Sequence, residues 1–163
     1  NKIAGIWIND DQVLWQKNSE AYGTSKNGVI YKDHPLVTKF RLLYQDYLTM
    51  DVEKIKSNYT ENTLFYNVMN SGIDEFKTLD EEFSQFDQSM EMFELVGLRE
   101  SGFPDLLDYD GEGAVVISWI EMTFKNRKSG NTATILQHIQ HWFNDEGEIV
   151  REDYYFNPAQ LPQ

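Results

Sequence analysis

A chain of 163 residues with 40% apolar and 14% aromatic side chains can bury one core and is too apolar to stay disordered. Its 27 acidic and 14 basic residues give a formal charge of −13, and no Lys/Arg cluster exists to bind nucleic acid or an anionic membrane surface. The absence of cysteine excludes disulfides, thiolate nucleophiles and Cys-ligated metals, and no apolar run approaches the ~18 residues of a membrane-inserted span.

Residues 1–35 read as an N-terminal arm packed on the domain that follows over 36–163. The arm carries Ile3, Ile6, Trp7, Val13, Leu14 and Trp15, with a polar loop at 19–29. The sequence starts at Asn1 and not Met, so two origins stand equally open. One is an exported protein, periplasmic or lipoprotein, after leader removal; the other is a cytoplasmic protein with an arbitrary first residue.

After His34-Pro35, Leu36, Phe40, Leu43, Tyr44, Tyr47 and Leu48 recur at steps of three and four, which predicts a helix of about 13 residues. Asp51 caps a second, short helix in "VEKIKSNY", with Val52, Ile55 and Tyr59 on one side. "NTLFYNVM" is rich in strand formers and "NSG" stops it. Thr78 and Glu81 have capping-box spacing, and the helix they open carries Leu79, Phe83, Phe86, Met90 and Phe93 as its apolar stripe. The rest of "DEEFSQFDQSMEMFE" reads as an acidic solvent face.

Sheet follows. "FELVGLRES" is a strand, "FPDLLDYDGEG" a connection, and "AVVISWIEMTFKN" a long strand turned by "RKSGNT" into "ATILQHIQHWF". The turn "NDEG" leads into "EIVREDYYF", and Pro158 and Pro162 end the pattern. His138 and His141 would share a face on a helix and oppose each other on a strand. Two flanking turns at hairpin spacing and the β-branched start at Thr132, Thr134 and Ile135 favour strand, which removes a two-histidine metal site. No metal or cofactor is expected.

The order helix–helix–strand–helix, then four antiparallel strands, resembles the nuclear transport factor 2-like superfamily, in particular its SnoaL-like (polyketide cyclase and ketosteroid isomerase-like) domains. The stretch "YQDYLTMDVEKIKSNYTENTLFYN" and the hairpin around "HWFNDEGEIV" carry the resemblance, which covers roughly 36–158. It implies an α+β, cystatin-like fold: a cone-shaped curved antiparallel sheet closed by three N-terminal helices around a pocket. The positions where ketosteroid isomerases carry a hydrogen-bonding Tyr, a general-base Asp and a second acid hold Leu43, Asn67 and Ile139 here. The resemblance therefore implies a small-molecule-binding domain without those catalytic groups.

Strand parity, once Ile139 faces the pocket, sends Ile135, Gln137, His141 and Phe143 inward, and the resemblance implies that Glu152, Tyr154 and Phe156 on the last strand face inward too. Tyr47 and Asn67 can reach the same space, giving an aromatic pocket for a small apolar or aromatic ligand. His141 and Glu152 would form an acid–base pair if the domain is a lyase, isomerase or cyclase. The more economical reading makes His141 a hydrogen-bonded core residue and leaves Glu152 to water, so whether the protein is an enzyme stays open. Leu136, His138, Gln140 and Trp142 point outward with Asp153, Tyr155 and Trp119, a face through which the resemblance implies a homodimer. "DYDGEG" lacks the acidic twelfth ligand of a calcium loop, since Trp119 stands there, and Asn58-Tyr59-Thr60 fits a glycosylation sequon near a helix end.

Overall fold

The computed structural model describes residues 29–163, apart from 32, 70, 71, 73, 74 and 110–112. Most of the expected N-terminal arm, with Trp7 and Trp15, lies outside the described residues, and so does the centre of "DYDGEG". The last part of the arm contributes β1 (Val29–Tyr31), a strand that the loop reading did not anticipate.

α1 (Pro35–Thr49) begins where Pro35 pre-sets the backbone and the His34 imidazole accepts the Leu36 N–H at 3.2 Å. It ends at Met50, whose N–H bonds the Tyr47 carbonyl and whose φ of 55° turns the chain so that the Asp51 N–H reaches the Asp46 carbonyl. The apolar stripe is what packs: Val37, Phe40, Leu43 and Tyr44 are buried. Asp51 caps α2 (Val52–Lys56) through the Lys54 N–H. This helix is shorter than "VEKIKSNY" because the Asn58 amide donates to the Lys54 and Ile55 carbonyls and closes its end. Tyr59, expected on the helix, opens β2 (Tyr59–Asn67) instead. Both bonds of the Thr78–Glu81 capping box form at the start of α3 (Leu79–Met92), and Phe93 turns to extended backbone as the first residue of β3 (Phe93–Glu100).

The expected connection at 103–113 contains β4 (Asp105–Tyr109). Its flanking Pro104 and Gly-rich end read as loop, yet Leu106 is wholly buried and the strand pairs with both β1 and the long β5 (Gly113–Asn126). β5 is the spine of the sheet: its first half pairs with β4, its second half with β3, and its other edge along its length with β6 (Thr132–Phe143). β6 hairpins into β7 (Ile149–Tyr155) through a turn in which Gly147 takes a φ of 76°.

The seven strands run in the order β1-β4-β5-β6-β7-β2, with β3 beside β5. They form a curved, unclosed sheet, the α+β architecture that the sequence implies. One pairing corrects the antiparallel expectation: β2 lies parallel to β7. No hairpin joins these two, so β2 enters the sheet edge directly from α2 and its direction is free of the antiparallel constraint. The main core lies between the helices and the concave sheet face, where Phe40, Leu43, Ile55, Phe65, Phe83, Ile120 and Ile139 pack together.

Leu106→Ala should cost about 2–5 kcal/mol in chemical denaturation if β4 is part of the core, and under 1 kcal/mol (about the noise of a surface change) if it is a loop. Thr78→Ala should cost about 1 kcal/mol by the same measurement, through loss of the cap on α3.

Candidate functional site

The β6–β7 register sets the site. His141 lies directly opposite Glu152, and both point under the helices. The His141 Nε2 is 3.0 Å from Glu152 Oε2, with the two side chains 1% and 10% exposed. The Tyr59 hydroxyl, at the head of β2, donates to the same oxygen at 2.8 Å, and the Tyr47 hydroxyl lies 3.4 Å from that of Tyr59. Both contacts of Glu152 thus fall on Oε2. No described residue bonds Oε1, and the carboxylate lines a cavity.

The imidazole of His141 is sealed by the rings of Phe40, Tyr44 and Phe143, at centroid distances of 5.6, 6.3 and 6.4 Å. Its Nδ1 has no partner among the described residues. The ring meets Glu152 through Nε2 alone. His141 is therefore placed to hold the carboxylate, and both members of the pair lie on the cavity wall.

A second carboxylate, Glu82 on α3, stands across the cavity. The Tyr154 hydroxyl donates to it at 3.0 Å and the Lys77 ammonium at 2.9 Å, while Lys77 also contacts Gln85. Burial pushes the Glu82 carboxyl above its ordinary range, and the hydrogen bond and charge of Lys77 offset this only in part. Burial, followed by the charge of Glu152, pushes the phenols of Tyr44, Tyr47 and Tyr59 far up; for Tyr154 the causes are burial and then Glu82. All four stay protonated at neutral pH, and Tyr44, Tyr47 and Tyr154 line the cavity as neutral phenols.

The cavity has a volume of about 170 Å³. The eight residues expected to surround a ligand, Tyr47, Asn67, Gln137, Ile139, His141, Glu152, Tyr154 and Phe156, all lie on its wall. Asn67 turns its carbonyl to the Met69 N–H at 3.1 Å, and Leu43 is a core residue away from the cavity. Sequence reasoning passed over Tyr59, Lys77 and Glu82. It assigned Glu82 to the acidic solvent face, yet Glu82, Gln85, Phe86, Ser89 and Met90 form one helical stripe along the cavity. The i, i+3, i+4, i+7, i+8 spacing was available as a signal; it was obscured by the stronger Leu79–Phe83–Phe86 stripe beside it. The tail beyond β7 also takes part. Asn126, Ser129 and Asn131 donate to the Pro162 and Gln163 carbonyls, which places Pro158 and Leu161 against the cavity.

The outer sheet face is only partly open. Trp119, His138 and Tyr155 stack in a row across β5, β6 and β7, with centroids 4.4 and 5.2 Å apart, and Trp119 and Leu136 are half exposed. Gln140 leans on the His138 ring. Trp142 is covered by Tyr109, stacked at 6.3 Å, and Asp153 is buried against Arg151, so these two correct the expectation of an open face. Among the described residues no group of three or more His, Asp or Glu is arranged to hold a metal.

No family model and no curated protein matches the sequence. Solved structures do match in shape. A candidate SnoaL-like polyketide cyclase from Mesorhizobium loti shares 15% identity at a TM-score of 0.51, over 74% of this chain and 96% of its own. A candidate isomerase from Bacillus subtilis shares 16% at 0.58, over 74% and 84%, and a ketosteroid isomerase-like protein from Erwinia carotovora atroseptica shares 13% at 0.53, over 71% and 89%. The fold is thus the nuclear transport factor 2-like one that the sequence resembles.

An alkaline titration followed by tyrosine absorbance tests the site's electrostatics. Of nine tyrosines, Tyr44, Tyr47, Tyr59 and Tyr154 should stay un-ionised until the protein unfolds. Because their folded values are raised, their contribution to stability is complete below the free phenol value of about 10 and is lost as pH climbs above it. Stability that is flat from about pH 8 to 12, or nine phenols titrating together near 10, would show the site to be open.

Proposed function

We propose that the protein binds a small, partly apolar molecule inside the cone, with Glu152 as its polar anchor. One observation carries this reading: a carboxylate more than nine-tenths buried, held by His141 and Tyr59 through one oxygen, lines an aromatic-walled cavity. Burying a charge costs several kcal/mol or more unless it is well partnered, so a carboxylate kept at this position without full satisfaction of Oε1 suits recognition better than stability. The cavity volume of about 170 Å³ accommodates roughly one ring, since an apolar void of ~150 Å³ accepts a benzene molecule. The fold neighbours described as a cyclase and an isomerase are consistent with a ligand-holding cone.

A second reading, an enzyme of the lyase, isomerase or cyclase type, draws on the same oxygen. Glu152 Oε1 would take or return a proton on a bound ligand, the phenol groups nearby would stabilise developing negative charge, and His141 would position the carboxylate. In this form the pair keeps its acid–base role, with Glu152 touching the ligand. Glu152→Gln would then abolish turnover while leaving binding within about tenfold.

The row Trp119–His138–Tyr155, with Leu136 beside it, supports a further proposal, a homodimer through the outer face. Sedimentation should give a dimer mass at micromolar protein, and Trp119→Glu should give a monomer of unchanged fold; a monomeric parent protein removes the proposal.

Cavity binding is tested by ligand-observed NMR with a library of single-ring compounds. Ser89 lines the cavity from α3 and is half buried, so Ser89→Trp fills the space with little disturbance of the core. At least one compound should bind the parent protein and lose tenfold or more in affinity (about 1.4 kcal/mol) to the variant. Binding that is unchanged by Ser89→Trp would place the ligand elsewhere.

A further inference from the structure

The cavity wall has a charge as well as a shape. Its ionisable members among the described residues are Glu152, Glu82, Lys77 and His141, besides the tyrosines. The Lys77 ammonium is committed to Glu82, with the Tyr154 hydroxyl 3.4 Å away and Gln85 beside it. His141 is committed to Glu152 through Nε2, and its Nδ1 has no partner among the described residues. Glu152 lines the void with no lysine or arginine beside it, and both of its contacts among the described residues fall on Oε2. No cationic group on the wall is left to receive an anion.

The surroundings of that carboxylate are aromatic. Tyr44, Tyr47, Phe86, Tyr154 and Phe156 line the same cavity, and ring faces attract a cation electrostatically while they repel an anion. One flank of the wall is apolar, where Met90, Phe93, Leu95, Met122, Phe124 and Leu161 meet the second hydrophobic cluster, and Asn67, Ser89 and Gln137 add neutral polar groups elsewhere on it. The cavity therefore offers a carboxylate among rings and an apolar flank. At longer range, a formal charge of −13 attracts cations to the surface.

We propose that the ligand is a small amine, a primary or secondary ammonium on a single-ring or short branched apolar body, whose N–H donates to Glu152 Oε1. This deepens the binding reading given above and rests on it. An ammonium supplies what the carboxylate lacks, a charge-assisted hydrogen bond to Oε1, and its apolar body takes the place of water against the Met and Phe flank. An anionic ligand of the same shape would face Glu152 and Glu82 without a free counter-charge. A neutral alcohol would bond Oε1 without the charge term.

Benzylamine, benzyl alcohol and benzoate, similar in size and differing in charge, test this directly. Binding is measured by calorimetry and ligand-observed NMR on the full chain near neutral pH, with the parent protein and Glu152→Gln. The expected order is benzylamine, then benzyl alcohol about tenfold weaker, then benzoate without measurable binding. In Glu152→Gln the preference for the amine should fall to within about threefold of the alcohol. Equal or tighter binding of benzoate or benzyl alcohol to the parent protein overturns the charge assignment and leaves the cavity reading standing. An amine preference that persists in Glu152→Gln overturns it as well, by placing the ammonium elsewhere. If none of the three binds, the inference and the cavity reading fall together. The comparison within the parent protein decides the matter even if the variant does not fold.

Discussion

A carboxylate inside a protein core needs partners, and the packing around Glu152 is organised by that need. Its neighbours come from different parts of the chain: His141 from the adjacent strand, Tyr59 from the parallel edge strand, and Tyr47 from α1 behind Tyr59. Removing one partner of such a buried group typically costs about 3–5 kcal/mol, because the other is left unsatisfied. The contact between β6 and β7 therefore fixes more than a pair of side chains. It requires α1 to lie where Phe40 and Tyr44 can seal the imidazole, and β2 to run where its first residue reaches the sheet interior.

The same constraint explains the asymmetry of the site. His141 is closed in by rings and bonds only through Nε2, while Glu152 lines the cavity with both of its contacts on Oε2. Across the void, Glu82, Lys77 and Tyr154 form a network of their own at the α3 side. Two carboxylates face one space, and only one has an ammonium beside it. The phenols that separate them remain protonated because burial and the carboxylate charges both oppose ionisation. The cavity thereby keeps neutral phenols and a carboxylate without an ammonium beside it in a medium where polar interactions are stronger than in water.

The two faces of the sheet divide the histidines. His141 belongs to the inner network; His138, three residues earlier, lies in the aromatic row with Trp119 and Tyr155 and sets its Nδ1 3.0 Å from the Ser118 carbonyl. Strand parity alone separates them, and the outer face acquires its own cover where β4 brings Tyr109 onto Trp142. A strand read as a connection thus decides which part of that face is open.

The sequence by itself determined the elements whose signals are local. Helical spacing marked α1 and α3, the capping box marked the start of α3, and turn residues around 127–131 and 144–147 marked the last hairpins. Alternation then grouped Ile139 with His141 and Glu152 with Tyr154, because side chains two apart on a strand share a face whatever the rest of the chain does, while the resemblance set which face is inward. Only the tertiary structure decided the remainder. The parallel pairing of β2 and the insertion of β4 depend on which sheet edge a segment meets, and no local pattern encodes that. Tyr59, Lys77 and Glu82 entered the site for the same reason: each sits in a segment whose own pattern suits a helix end, a loop or a solvent face, and only long-range packing turns it toward Glu152 or the cavity.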